Sequence, residues 1–137
     1  MKGTTGTAMK IGIVIVDEQL SFAHRNLAAA TESLKTLGCA AEDILVRHTP
    51  RVQNITIAAQ FFAEYTDVDA VVVLVENDNT PEYAAMLYGV TKLQISWNMP
   101  IVLGGCIAAS EAVEIVTTQC DMEAAAPEPA ADRKAIN

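Results

Sequence analysis

A chain of 137 residues holds one domain, long enough for a continuous core but not for two. No apolar run reaches the ~18–20 residues that cross a bilayer, and the opening "MKGTTGTAMK" lacks an apolar signal-peptide core, so a soluble, cytoplasmic protein without a membrane partner is expected. The formal charge of −8, with nine Lys and Arg residues scattered along the chain, excludes the basic stripe that nucleic acid needs. Cys39, Cys106 and Cys120 are widely spaced without a CxxC pair, so neither a disulfide framework nor a zinc site is indicated, and no metal or cofactor is expected.

In chain order, residues 1–9 are expected to be flexible. "KIGIVIV" is a short, continuous apolar run rich in β-branched residues, which predicts a strand buried on both faces. "SFAHRNLAAATESLKTLG" places Leu27, Ala30, Leu34 and Leu37 at helical spacing, with Ser21 as the cap and Gly38 as the stop. "DILVRH" predicts a second strand, and "ITIAAQFFAEYT" a helix with Ile57, Ala58, Phe61, Phe62 and Tyr65 on one face. "DAVVVLV" is the most apolar run and predicts another interior strand. The helix after it takes Thr80 as N-cap and Pro81 at its first position, with Tyr83, Leu87, Val90 and Gln94 along one face.

"MPIVLGGC" predicts a fourth strand and "SEAVEIVTTQC" a last helix starting near Ser110. From Asp121 onward, Ala, Pro and charge mix without an apolar period, so residues 121–137 are expected to be disordered, leaving the domain over 10–120. Strands alternating with helices predict a parallel four-stranded sheet between helix layers, an α/β fold of three layers, α/β/α.

Chemistry-bearing residues are few. His24 and His48 are the two histidines and the candidates for proton transfer, against a bland reading as surface or interface residues. Arg47 and Arg51 flank the second strand's end and suit an anion or a neighbouring subunit's carboxylates. Glu76, Asp78 and Asn79 offer oxygen atoms to a hard cation, but without the EF-hand spacing and glycine they read better as a helix-capping loop. Trp97 is expected in core or interface, and Gly104-Gly105 at a strand exit.

Several of these pieces resemble the lumazine synthases, which condense a ribitylamino-pyrimidine with a four-carbon sugar phosphate in riboflavin biosynthesis. They are "KIGIVIV", "LAAATESLKTLGCAAEDILV", "AAQFFAEYTDVDAVVVLV", "EYAAMLYGVTKLQIS" and "MPIVLGG", with "AAEDI" and "YTDVDAVVVL" the more specific. The resemblance implies a flavodoxin-like, lumazine-synthase-like fold and a homopentamer or pentamer-based shell with sites between subunits. It also implies a transferase and a pyrimidine or flavin-like ligand.

The loops depart from the family together. Asp17, Glu18 and Gln19 stand where arginine, a stacking phenylalanine and asparagine are usual, and a carboxylate offers no stacking surface. In "TPRVQN" Pro50 matches, while Arg51 replaces a glycine that lets the ligand approach the backbone. The phosphate loop is several residues short, retains Thr80-Pro81, and has no counterpart to the family's histidine. Glu76, Asp78 and Glu82 crowd negative charge onto the helix N-terminus that would otherwise receive a phosphate.

The ligand-binding candidates on this rim are Glu18, Pro50, Arg51, Asn54, Asn77, Thr80 and Pro81. Three functions follow as expectations: an assembling scaffold with little or no lumazine-forming activity, an active lumazine synthase using Arg51 with His24 or His48, and a small-molecule binding module at a subunit interface.

Overall fold

The computed structural model describes residues 9–127. Four parallel strands, β1 (Ile11–Val16), β2 (Ile44–Thr49), β3 (Ala70–Leu74) and β4 (Ile101–Gly104), lie in the order β2-β1-β3-β4. The helices are α1 (Leu20–Thr36), α2 (Ile55–Tyr65), α3 (Pro81–Trp97) and α4 (Ile107–Ala125). Short 3-10 turns occupy Asp17–Gln19, Ala41–Asp43 and Val52–Asn54.

Strand alternation divides the apolar runs between two cores. Ile11, Ile13 and Ile15 of β1, with Ala70, Val72 and Leu74 of β3, meet α1 and α4 through Ala30, Leu34, Ala109 and Ala112. Val14 and Val16, with Val71 and Val73, meet α2 and α3 through Ile55, Phe62, Met86 and Val90. Every residue of β1 and β3 is buried, as a continuous apolar run requires when helices cover both faces. The predicted three-layer arrangement and four parallel strands are present.

Gly12 admits one close approach. It lies in β1 between Leu45 and Val71, and a Cβ there would stand 2.7 Å from Cε1 of Phe62. The absence of a side chain in the sheet makes room for the largest fully buried residue of the α2–α3 layer.

Helix ends follow their chemistry with two exceptions. Thr80 caps α3, its hydroxyl accepting from the Tyr83 amide at 3.1 Å, with Pro81 at the first position as predicted. Gly38 follows α1 at φ 107°, the left-handed conformation that stops a helix. Ser21, however, lies inside α1, because the Asp17–Gln19 turn runs straight into the helix at Leu20. The last helix begins at Ile107, ahead of Ser110, and extends to Ala125.

That extension corrects the disorder expected from Asp121 as far as Ala125. Met122, Glu123, Ala124 and Ala125 are good helix formers, and the helix stops where Pro127 forces Ala126 into extended backbone. Residues 128–137 of that tail, and residues 1–8 of the expected flexible start, lie outside the described residues. Met9 is buried against the α1–α4 core.

The second correction concerns α2. Its buried stripe is Ile55, Ala59 and Phe62, whereas Ile57, Phe61 and Tyr65 of the predicted face are 70, 40 and 72 % exposed. Phe62 of the predicted face is buried and Ala58 packs against the core; the helix is apolar around most of its circumference, so the expected stripe overlaps the buried one there and is rotated away from it at Ile57, Phe61 and Tyr65. In α3 the buried residues are Met86, Val90 and Leu93, with Leu87 and Tyr88 outside.

The edge strand β2 pairs only with β1 among the described strands. Arg47 donates from Nη1 to the Val46 carbonyl at 2.8 Å, so a guanidinium stands over a peptide oxygen of that strand. No helix among the described residues is long and apolar enough to cross a membrane.

Candidate functional site at the strand ends

The carboxyl ends of β1 and β3 are neighbours, but the chain leaves them toward opposite layers, into α1 and α3. Such a switch point opens a crevice in which open α/β sheets bind ligands. Here it is bridged. Gln19 donates from Nε2 to the Glu76 carbonyl at 2.9 Å, and its Oε1 accepts from the Glu76 amide at 2.7 Å.

Glu18 closes the neighbouring gap between β1 and β2. Its amide donates to the Pro50 carbonyl at 3.0 Å, and its carboxylate Oε2 accepts from the Val52 amide at 3.0 Å. Asn54 in turn accepts through Oδ1 from the Arg51 amide at 3.1 Å. Glu18, Pro50, Arg51 and Asn54 are therefore brought together, and the side-chain oxygens of Glu18 and Asn54 hold backbone amides of the loop. The Arg51 side chain stays exposed.

The third loop satisfies its own donors. Asn77 Oδ1 accepts from the Asn79 amide at 2.8 Å, and Asn79 takes the left-handed conformation at φ 59°. Asp78 Oδ1 accepts from the Thr80 amide at 3.2 Å and its hydroxyl at 2.7 Å. With the Tyr83 amide bound to Thr80 Oγ1, one of the open donors that a phosphate would use at this helix start is occupied. Burial, followed by the Asp78 charge, raises the Tyr83 phenol above its ordinary value. Among the described residues, no group of three or more His, Cys, Asp or Glu is arranged to hold a metal ion.

The histidines part company. His24 is exposed in the second turn of α1. His48 lies at the end of β2, and its Nδ1 is 2.7 Å from Asp17 Oδ1. A carboxylate on one ring nitrogen orients the ring and leaves Nε2 to face solvent or ligand, the arrangement a general base needs. Asp17 and Gln19 were not singled out for these contacts in the sequence. The register that sets Ile15 beside His48 and Val16 beside Thr49 carries β1 directly into that contact, but it becomes readable only once β2 is known to pair with β1.

No family model matches the chain. It is 29 % identical over 102 residues to the 6,7-dimethyl-8-ribityllumazine synthase of Parabacteroides distasonis, covering 70 % of this chain and 64 % of that protein. The enzyme of the same name from Porphyromonas gingivalis is 27 % identical over 105 residues, covering 72 and 65 %. That of Bacteroides fragilis is 29 % identical over 102 residues, covering 70 and 71 %. The chain thus spans just under two thirds of the length of the first two relatives.

Proposed function

We propose that this chain, which is a divergent lumazine-synthase-like protein, is a self-associating scaffold with little or no capacity to form lumazine. The observation that carries the loss of activity is the rim's internal satisfaction. Gln19 bridges the crevice, Glu18 holds Val52, and Thr80 holds Tyr83. A phosphorylated substrate would have to break several of these contacts while meeting Glu76, Asp78 and Glu82, each close carboxylate costing on the order of 1 kcal/mol in a wet site.

Self-association is supported by the outer stripe of α2. Ile57, Phe61 and Tyr65 stand exposed on one helix, with Leu87, Tyr88 and Ile95 exposed on neighbouring α3. An apolar patch of this kind is characteristic of a protein interface. A homopentamer, or a shell of pentamers, is the assembly we expect. Incubating the purified protein with the ribitylamino-pyrimidine and the four-carbon sugar phosphate, beside native mass measurement, tests both halves. Turnover equal to that of the Parabacteroides enzyme defeats the first, and a monomer at micromolar concentration defeats the second.

A second reading, an active lumazine synthase, is favoured by the Asp17–His48 contact. In it His48 moves the proton, Arg51 receives the phosphate, and holding two reactive substrates together supplies much of the acceleration. His48→Gln and Arg51→Ala would then each lower kcat/KM by about tenfold or more. Unchanged kinetics in both variants exclude these assignments. The third reading, a module binding a pyrimidine or flavin-like molecule between subunits, predicts a rise in Tm with such compounds.

A further inference from the structure

The Asp17–Gln19 turn ends in a contact unlike the two before it. Asp17 meets His48 and Glu18 holds the Val52 amide, each through one side-chain hydrogen bond. Gln19 both gives and takes at a single residue, Nε2 donating to the Glu76 carbonyl at 2.9 Å and Oε1 accepting from the Glu76 amide at 2.7 Å. Gln19 is half-buried, whereas Asp17, Glu18 and Leu20 around it are exposed.

The cause lies in the ladder. Val75 is buried, and its amide still donates to the Gly104 carbonyl at 3.1 Å, on the β4 side of β3. Successive residues of a strand turn their N–H and C=O groups to opposite edges, so Glu76 faces the β1 side. The register pairs Ile15 with Leu74, which two residues further on would set Asp17 beside Glu76, but β1 ends at Val16 and Asp17 has already entered the turn. The donor and acceptor of Glu76 are thus left without a strand partner, and the Gln19 carboxamide satisfies both.

We propose that Gln19 is a tethered occupant of a slot that recognises a cis-amide edge, and that it keeps this slot shut. A primary carboxamide presents an N–H and a C=O side by side, and so does a lactam, whose ring holds them in that relation; the N–H and C=O of a single trans peptide bond point apart. The slot therefore takes a small uncharged lactam, which escapes the repulsion that Glu76, Asp78 and Glu82 offer to a phosphate. Attached to the chain, the carboxamide competes at an effective concentration on the order of millimolar, so a free lactam binds well only once Gln19 is replaced. This inference rests on the reading of the rim as closed and names what the closed position accepts.

The Glu76 amide, followed by amide-resolved NMR of the full chain, reports occupancy directly. In Gln19→Ala, δ-valerolactam is expected to shift that resonance saturably, with the parent at least about tenfold weaker. N-methyl-δ-valerolactam, which lacks the donor, should bind Gln19→Ala at least about tenfold more weakly than the parent lactam does. Gln19→Glu keeps the side-chain length but sets an oxygen against the Glu76 carbonyl, and should also bind δ-valerolactam more tightly than the unmutated protein. Absence of saturation at about 100 mM in both variants, equal affinity in the unmutated protein, or equal affinity for the N-methyl compound would each overturn the inference. Lumazine formation by the unmutated protein would instead defeat the reading of lost activity, whereas a flat titration in both variants of an inactive protein defeats the slot alone.

Discussion

Replacing Gly12 with alanine tests the packing of the α2–α3 layer at one atom. The new Cβ would lie 2.7, 2.8 and 2.9 Å from Cε1, Cδ1 and Cζ of Phe62, against the ~3.5–4.0 Å of comfortable carbon contacts. An overlap of roughly 0.7 Å or more must be relieved by the ring or by the sheet. Phe62 is fully buried, and Gly12 sits in a strand bonded on both sides, so neither moves freely. Overpacking of this kind costs about 1–3 kcal/mol, offset by the ~0.5–1 kcal/mol that alanine gains over glycine in a strand.

A net loss of about 1–2 kcal/mol should follow, read as a lower urea midpoint at unchanged m. The control is Phe62→Leu in the Gly12→Ala background. Leucine removes the ring edge, so the double variant should lose less than the sum of the two single losses. The coupling between them is expected at about 0.5–3 kcal/mol. A Gly12→Ala protein as stable as the parent, or losses that simply add, would refute the argument that Phe62 occupies the space of the missing side chain.

Thr80→Ala removes the acceptor for the Tyr83 amide and should cost about 0.5–2 kcal/mol by denaturation; Thr80→Ser should recover most of it. Ile57→Lys with Tyr65→Lys places charge on the exposed stripe of α2 and should shift sedimentation toward smaller species without lowering stability, because neither side chain is in the core. Burial, then the charges of Asp43 and Asp69, pushes the Cys39 thiol above its ordinary value of 9.0. Its folded value being raised, the stability it contributes is full below 9.0 and is lost as pH rises through the folded value. Cys39 should therefore be alkylated far more slowly than Cys106 in native protein at mildly alkaline pH, and at similar rates in urea, as read by mass spectrometry.

The strands were legible because burial on both faces leaves only apolar residues in β1 and β3, a pattern independent of neighbours. Thr80-Pro81 and Gly38 were legible for a different reason, since their chemistry is local to the turn. The face of α2 was not. With apolar residues at 55, 57, 58, 59, 61, 62, 63 and 65, two overlapping stripes compete, and only the sheet decides between them. The Asp17–His48 and Gln19–Glu76 contacts join residues 31 and 57 positions apart, so they follow from strand order and not from any motif. Glu18, marked for its departure from an aromatic residue, proved to be a backbone clamp that only the geometry reveals.

Arg47, folded back over the Val46 oxygen, stands sentry at the sheet's outer margin. An incoming chain seeking to extend the ladder there must first push a cation aside, as guarded margins generally demand. Mutational loss of that arginine would thus be felt first as disorderly growth at high concentration, before any change in the fold itself.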